Sequence, residues 1–267
     1  MTRSPSPAAS STLTSLGPLA ISLPLSIVVP AYNEEQRLEP TLRRYHAVLA
    51  ARGQAFELVV VDDGSTDDTA GLVERLAPEL PGLRVIRSYP NRGKGHAVRV
   101  GMLGARGAVR VMCDADGSMP PEELEKLLAP IAAGTAEIAI GSRYVAGAPH
   151  RMSQPLYRRL WSRLCNQVIQ RALVPGVLDT QCGFKAFTAE AARDLFGRAT
   201  VNGWAFDLEI LALARRRGWA LVEIGVIWVD DARSKVNPVR DLVKVVREAL
   251  TIRRNLRDNV YGLPQAA

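Results

Sequence analysis

Three short polar clusters hold the residue types that could do chemistry in this chain: Asn33-Glu34, Asp62-Asp63, and Asp114 with Asp116. Each follows an apolar, β-branched run: Ser26-Ile27-Val28-Val29, Phe56 to Val61, and Ala108 to Cys113. Asp, Asn and Ser also favour turns and helix caps, so a solvated turn would account for any one cluster alone. Three at strand ends are harder to explain that way, because ligands of open parallel sheets bind at the carboxyl ends of the strands. Together they predict a site for a metal and the donor groups of a ligand. In Asp114-Ala115-Asp116, alternate positions of an extended segment face the same way, so both carboxylates can approach one cation. Hard oxygen ligands suit Mg2+ or Mn2+, and such a site commonly shares the metal with substrate phosphates. The same pair could instead cap a helix beginning near Pro121. Asn91-Arg92-Gly93-Lys94-Gly95 sets glycines and two cations ahead of a helix, where backbone amides can bind an anion, though a plain turn has the same composition. No GxxxxGK[ST] loop is present and no GxGxxG follows the first strand, which disfavours P-loop ATPases and simple dinucleotide dehydrogenases.

The elements that must position these residues alternate along the chain. Helical spacing is expected from Glu35 to Arg52, Thr66 to Leu76, Lys94 to Ala105 and Pro121 to Ala133, with further strands at Leu83–Arg87 and Glu137–Ile140. Strands without polar alternation, separated by helices, imply a parallel sheet covered on both faces, an α/β fold of the doubly wound type. Downstream, Arg151 to Leu173 reads as amphipathic, with Leu156, Leu160, Leu164 and Val168 four apart. A helix over Phe206–Arg217, a strand over Leu221–Val229 and a basic helix over Pro238–Arg257 complete the reading. Residues 1–23 read as a mobile tail, 24–235 as one domain, and 236–267 as a basic amphipathic helix and tail.

The 267 residues are 47% apolar and 23% charged, an ordinary globular balance. Prolines and a glycine interrupt the uncharged stretch from Ser4 to Asn33, so no transmembrane segment is expected. Three scattered cysteines without CxxC spacing exclude a disulfide scaffold or thiolate zinc site and fit a reducing compartment. The net charge of +7 asks for an anionic partner: nucleic acid, a phosphorylated substrate or an anionic membrane. Aromatic residues are only 6% and no aromatic–basic interleaving occurs, which argues against nucleic acid.

The segments IVVPAYNEE (Ile27–Glu35), VVVDDGSTDDT (Val59–Thr69), NRGKGHAVRVGM (Asn91–Met102), CDADGSMPPEEL (Cys113–Leu124) and IGSRYV (Ile140–Val145) resemble, in order and spacing, the family 2 glycosyltransferases. LDTQCGFKAF (Leu178–Phe187), WAFDLEI (Trp204–Ile210) and VIWVDDARSKV (Val226–Val236) are similar to the dolichyl-phosphate β-glucosyltransferase branch, with dolichyl-phosphate mannosyltransferases as relatives. The resemblance implies a GT-A fold, Rossmann-like and mostly parallel with helices on both faces, and a C-terminal amphipathic helical extension. It implies that Pro30, Tyr32, Glu34 and one of Asp62 or Asp63 hold the nucleoside, with Lys94 and Asp114 also on the donor. Asp114 and Asp116 would hold Mg2+ or Mn2+ against the diphosphate. Related mannosyltransferases carry a glutamine two residues beyond the second aspartate, where this chain has Ser118. Eukaryotic relatives of the glucosyl branch carry an N-terminal membrane helix that this sequence lacks, so the expected membrane contact is peripheral, on the cytoplasmic face.

An acceptor phosphate is already ionised near neutral pH, with a second pKa of about 6, and needs no general base. It does need cations to bring it beside an anionic donor. Arg143, Arg151, Ser234 and Lys235 are the candidates, with Asp116, Arg143 and Lys235 nearest the chemistry. Arg143 as a structural ion pair and Lys235 as a solvated lysine remain open. Asp207 and Glu209 would serve as bases for a hydroxyl acceptor, or orient the basic residues and cap their segment. The expected activity is inverting transfer of a hexose, glucose from UDP-glucose, to a polyprenyl phosphate. A GDP-mannose donor, a soluble hydroxyl acceptor and a non-catalytic binding module are the alternatives. The basic surplus is local: residues 151–171 and 233–258 each carry +5, leaving −3 elsewhere. That distribution points to two segments able to meet an anionic leaflet.

Overall fold

The computed structural model describes residues 24–145, 173–229 and 238–263. The tail expected over 1–23, nearly all of the basic segment expected over 151–173, and the stretch with Ser234 and Lys235 lie outside the described residues, as does Arg151. Seven strands form one sheet in the order β3-β2-β1-β4-β6-β5-β7. They are β1 (Leu25–Ala31), β2 (Phe56–Asp62), β3 (Leu83–Arg87), β4 (Val109–Met112), β5 (Ile138–Ser142), β6 (Lys185–Thr188) and β7 (Leu221–Gly225).

Every residue of β1 is buried, because both faces of the sheet are covered. Ile27 and Val29 point into a layer with α1 (Leu38–Ala51), α2 (Thr69–Leu76) and α4 (Leu124–Ala132). Val28, Val59 and Val61 face the opposite layer, built from α3 (Lys94–Gly104), α5 (Ala189–Arg198) and α6 (Phe206–Arg217). The final helix α7 (Pro238–Arg257) and the turn after it add Val245, Ile252, Tyr261 and Leu263 to that second layer. Among the described residues no helix is long and apolar enough to cross a membrane.

The alternating α/β reading holds for the first five strands, with shifted boundaries. Helix α1 starts at Leu38 rather than Glu35, because the chain reverses at Asn33 (φ 55°) and the amides of Arg37 and Leu38 close a turn on the Glu34 carbonyl. Helix α2 starts at Thr69 rather than Thr66: Asp62 Oδ1 accepts the Ser65 amide and Asp67 Oδ1 the Thr69 amide, so side chains hold residues 62–68 as a loop. The helix expected from Pro121 opens as a 3-10 turn over Pro121–Glu123. Strand β7 ends at Gly225, four residues early. Beyond it, the amides of Ile227 and Val229 leave the sheet for the Glu123 carboxylate and the Ser118 carbonyl.

Strand β6 and helix α5 have no counterpart in the sequence reading. Four residues led by a lysine make too short an apolar run to declare a strand. β6 lies antiparallel between β4 and β5, pairing Lys185 with Met112 and with Ile140. A reversed strand begins where its parallel neighbours end. The segment before it, residues 179–184, is thereby delivered to the edge that carries Asp114.

Candidate active site

Strands β1, β2 and β4 are adjacent and parallel, so the three polar clusters expected to act together emerge on one edge. The first two loops are laced together. Asn33 Oδ1 accepts the Thr66 amide at 2.8 Å, the Asn33 amide donates to Ser65 Oγ at 2.9 Å, and the Glu34 amide donates to Thr69 Oγ1 at 2.9 Å. The Glu34 carboxylate takes both arms of the Arg37 guanidinium. Pro30 is buried within β1, whereas Tyr32 leaves its ring exposed. Asp62 turns onto the Ser65 amide. Asp63 accepts the amides of Arg92 and Gly93, the latter at 2.7 Å, and so ties the glycine-rich turn to the end of β2.

That turn starts α3 against residues 201–206. A Cβ on Gly95 would fall 2.6 Å from Cβ of Phe206 and 2.7 Å from the Val201 carbonyl, so only glycine permits this approach. The contact brings Lys94, the first residue of α3, over the ring of Trp204 at 5.2 Å and its Nζ to 2.6 Å from Asp114 Oδ1. Burial opposes the charge of Lys94, but Asp114 and Asp207, with Asp116 beyond, outweigh it and hold its pKa above that of a free lysine.

Asp114 and Asp116 follow β4 as expected. A Cβ on Gly183 would sit 2.2 Å from Asp114 Oδ2, so the absence of a side chain there makes room for the carboxylate. Asp116 Oδ1 accepts the Ser118 amide at 3.0 Å, and Ser118 Oγ is buried without a hydrogen-bond partner. No third His, Cys, Asp or Glu joins them as a metal-binding group among the described residues. Two carboxylates beside an unpartnered hydroxyl fit a hard divalent cation whose sphere is completed by phosphate oxygens. A cleft of about 220 Å³ runs beside Asp116, lined also by Arg37, Thr41 and Arg44 among others.

Two ion pairs stand behind this edge. Lys185 Nζ donates to Asp207 Oδ1 at 2.5 Å and to the Cys182 carbonyl at 2.6 Å, with Lys185 fully buried. Burial raises the Asp207 pKa, and Lys185 and Lys94 pull it down without reversing the shift. Arg143 grips Asp179 bidentately, Nε to Oδ2 at 2.8 Å and Nη2 to Oδ1 at 2.9 Å, and its guanidinium lies 4.9 Å from the Trp228 ring. Burial opposes that charge too, but Asp179 outweighs it and holds the Arg143 pKa above its ordinary value. Glu209 accepts from the Thr200 amide and hydroxyl, the Val201 amide and the Tyr261 hydroxyl. All these bonds hold the loop before α6 and the turn after α7.

Of the candidates, the structure brings Lys94, Asp114, Asp116 and Asp207 into one cluster. It places Arg143 beside that cluster as the partner of Asp179, and sets Glu209 away from it. Gly183, Lys185, Asp179 and Trp204 were not singled out as site residues from the sequence. The local signal available was the segment Leu178–Phe187, whose charged side chains Lys185 and Asp179 find partners 22 and 36 residues away.

A model described as glycosyl transferase family 2 matches residues 26–196. A dolichyl-phosphate beta-glucosyltransferase of Trichomonas vaginalis is 37% identical over 244 residues, covering 86% of this chain and 72% of that protein. The protein of the same name from Homo sapiens is 35% identical over 254 residues, covering 90% and 78%. Among solved structures, mannosyl-3-phosphoglycerate synthase from Rubrobacter xylanophilus superposes with a TM-score of 0.62 at 19% identity, covering 91% of this chain and 77% of that one. Glucosyl-3-phosphoglycerate synthase from Mycobacterium tuberculosis, in complex with Mn2+, UDP-glucose and phosphoglyceric acid, gives 0.62 at 22% identity, covering 91% and 81%. These likenesses place the chain in the GT-A fold.

Proposed function

The chain belongs to glycosyl transferase family 2, and from that membership we propose that it transfers glucose from UDP-glucose to a polyprenyl phosphate of the dolichyl type at a membrane surface. The observation that carries the proposal is the meeting of Asn33-Glu34, Asp62-Asp63 and Asp114/Asp116 on one sheet edge, in a chain 37% identical to a dolichyl-phosphate beta-glucosyltransferase. Tyr32, with its exposed ring, and the laced loops of β1 and β2 receive the nucleoside. Asp114 and Asp116 would hold Mg2+ or Mn2+, which stabilises charge on a departing diphosphate.

The state of the remaining carboxylates favours an acceptor that is already ionised. Asp207 is committed to Lys185 and Glu209 to four donors, so neither stands ready to take a hydroxyl proton. A phosphate acceptor makes no such demand. With Arg143 bound to Asp179, its field at the acceptor is partly cancelled, and Arg151, Ser234 and Lys235 carry the rest of the cradle. The surface of α7 fits a leaflet: Lys244, Arg247 and Arg254 are exposed beside Val246 and Leu250.

The test is a donor screen by release of UDP or GDP, with and without a short polyprenyl phosphate, in the presence of Mn2+. UDP release from UDP-glucose should rise with the lipid phosphate and vanish in Asp116→Ala. Release indifferent to the lipid, or specific to GDP-mannose, would overturn the acceptor or the donor. Co-sedimentation with anionic vesicles should weaken as salt rises, and binding to neutral vesicles should be far weaker at every salt concentration.

A further inference from the structure

Asp114 carries an ion pair that its proposed metal role leaves unexplained. Lys94 Nζ lies 2.6 Å from Asp114 Oδ1. An oxygen that is to coordinate a divalent cation cannot keep an ammonium at hydrogen-bond distance as well. The helix does not hold Lys94 there, because an ammonium at an α-helix N-terminus sits against the positive end of the dipole. Its position is set by the carboxylates of Asp114 and Asp207 and by the face of Trp204 at 5.2 Å. Trp204 is 41% exposed and the Lys94 side chain keeps 20% of its surface accessible, so the pair lies at the rim of the site. A flexible four-carbon stem with three donors can move there without shifting the backbone.

We propose that Lys94 is a place-holding cation: in the empty enzyme its ammonium neutralises Asp114, and on loading it leaves Asp114 for the diphosphate of the incoming nucleotide. This rests on the nucleotide-sugar reading above. Lys94 thereby couples the two halves of donor loading. The metal displaces it from the carboxylate, and the anion that accompanies the metal receives it. The coupling has a thermodynamic signature of opposite signs. Removing Lys94 frees Asp114, so a metal binds the nucleotide-free protein more tightly. It also deprives the diphosphate of a cation, so the nucleotide binds the metal-loaded protein more weakly. A lysine that only braced the start of α3 would, when removed, weaken both.

The experiment measures Mn2+ binding to the full chain by electron paramagnetic resonance without nucleotide, for wild type and Lys94→Met, then UDP binding at saturating Mn2+ by calorimetry. Mn2+ affinity should rise and UDP affinity fall, each by about tenfold, the factor expected for the loss of one close charge–charge contact. Mn2+ affinity unchanged or lowered in Lys94→Met, with wild type binding UDP, overturns the place-holder and leaves the nucleotide-sugar reading standing. Wild type that binds neither UDP nor GDP with Mn2+ overturns both. Should Lys94→Met fail to fold, wild-type fluorescence decides: Mn2+ with UDP should change the emission, and Trp204→Phe should abolish the change. An identical change in Trp204→Phe refutes movement of the ammonium from that ring.

Discussion

Replacing Lys185 with methionine removes one half of a fully buried ion pair and nearly preserves side-chain volume. Asp207 is then left with neither its 2.5 Å partner nor water, since both residues are buried. Breaking a buried pair from one side costs about 3–5 kcal/mol. At about 2–4 °C per kcal/mol for a chain of this size, that lowers Tm by roughly 6–20 °C. The loss should depend on pH. Burial raises the Asp207 pKa in the folded chain, so between the ordinary carboxylate range and that raised value the folded protein keeps a proton that the unfolded chain has released. Stability falls as pH rises through such a window. Without Lys185 the window extends further upward. The penalty of Lys185→Met is therefore smallest on the acid side, where Asp207 is neutral in both states, and grows toward neutrality. Calorimetric Tm values for wild type and variant between about pH 4 and pH 8 measure it. A difference below about 2 °C, or one that does not change with pH, refutes the reasoning. The double variant Lys185→Met/Asp207→Leu should recover most of the stability, because well-packed apolar replacement of a buried pair is often neutral.

Two further outcomes follow from the site. Gly183→Ala puts a methyl 2.2 Å from Asp114 Oδ2 and must push the carboxylate aside. Mn2+ affinity should drop by about tenfold or more with Tm nearly unchanged, and unaltered Mn2+ binding would show that Gly183 is not what makes room. Glu209→Gln turns an amide donor toward the amides of Thr200 and Val201 or the Tyr261 hydroxyl, at a cost of about 1–3 kcal/mol. Its Tm should fall by several degrees while turnover of the folded enzyme persists; lost turnover at full stability would restore Glu209 as a base.

The donor edge was legible in the sequence because its information is local. Strands β1, β2 and β4 are mostly apolar and β-branched, interrupted only by Ser26, Glu57 and Arg110, and acids stand at or just beyond their ends. Parallel pairing then puts every strand's end on the same side. Boundaries slipped where side chains replaced helix bonds, as at Asp67 and Thr69. The acceptor side was less legible. By type and spacing Arg143 suits a phosphate ligand and a structural ion pair equally, and Asp179, 36 residues on, is the buried partner that only folding supplies. Asp207 looked like a possible base until Lys185 met it through β6, a strand too short to announce itself.

What the sequence by itself determined is the order of the strands' chemistry: which residues are carboxylates, and that they stand at strand ends. Tertiary structure decided which charges are already neutralised. Reversing β6 carries Gly183 and Lys185 to the edge where β4 ends, and the glycine-rich turn carries Lys94 to Asp114. A side chain's character is fixed by its type, but whether its charge is available to a ligand depends on the partner it meets. That partner is set by contacts between residues far apart in the chain.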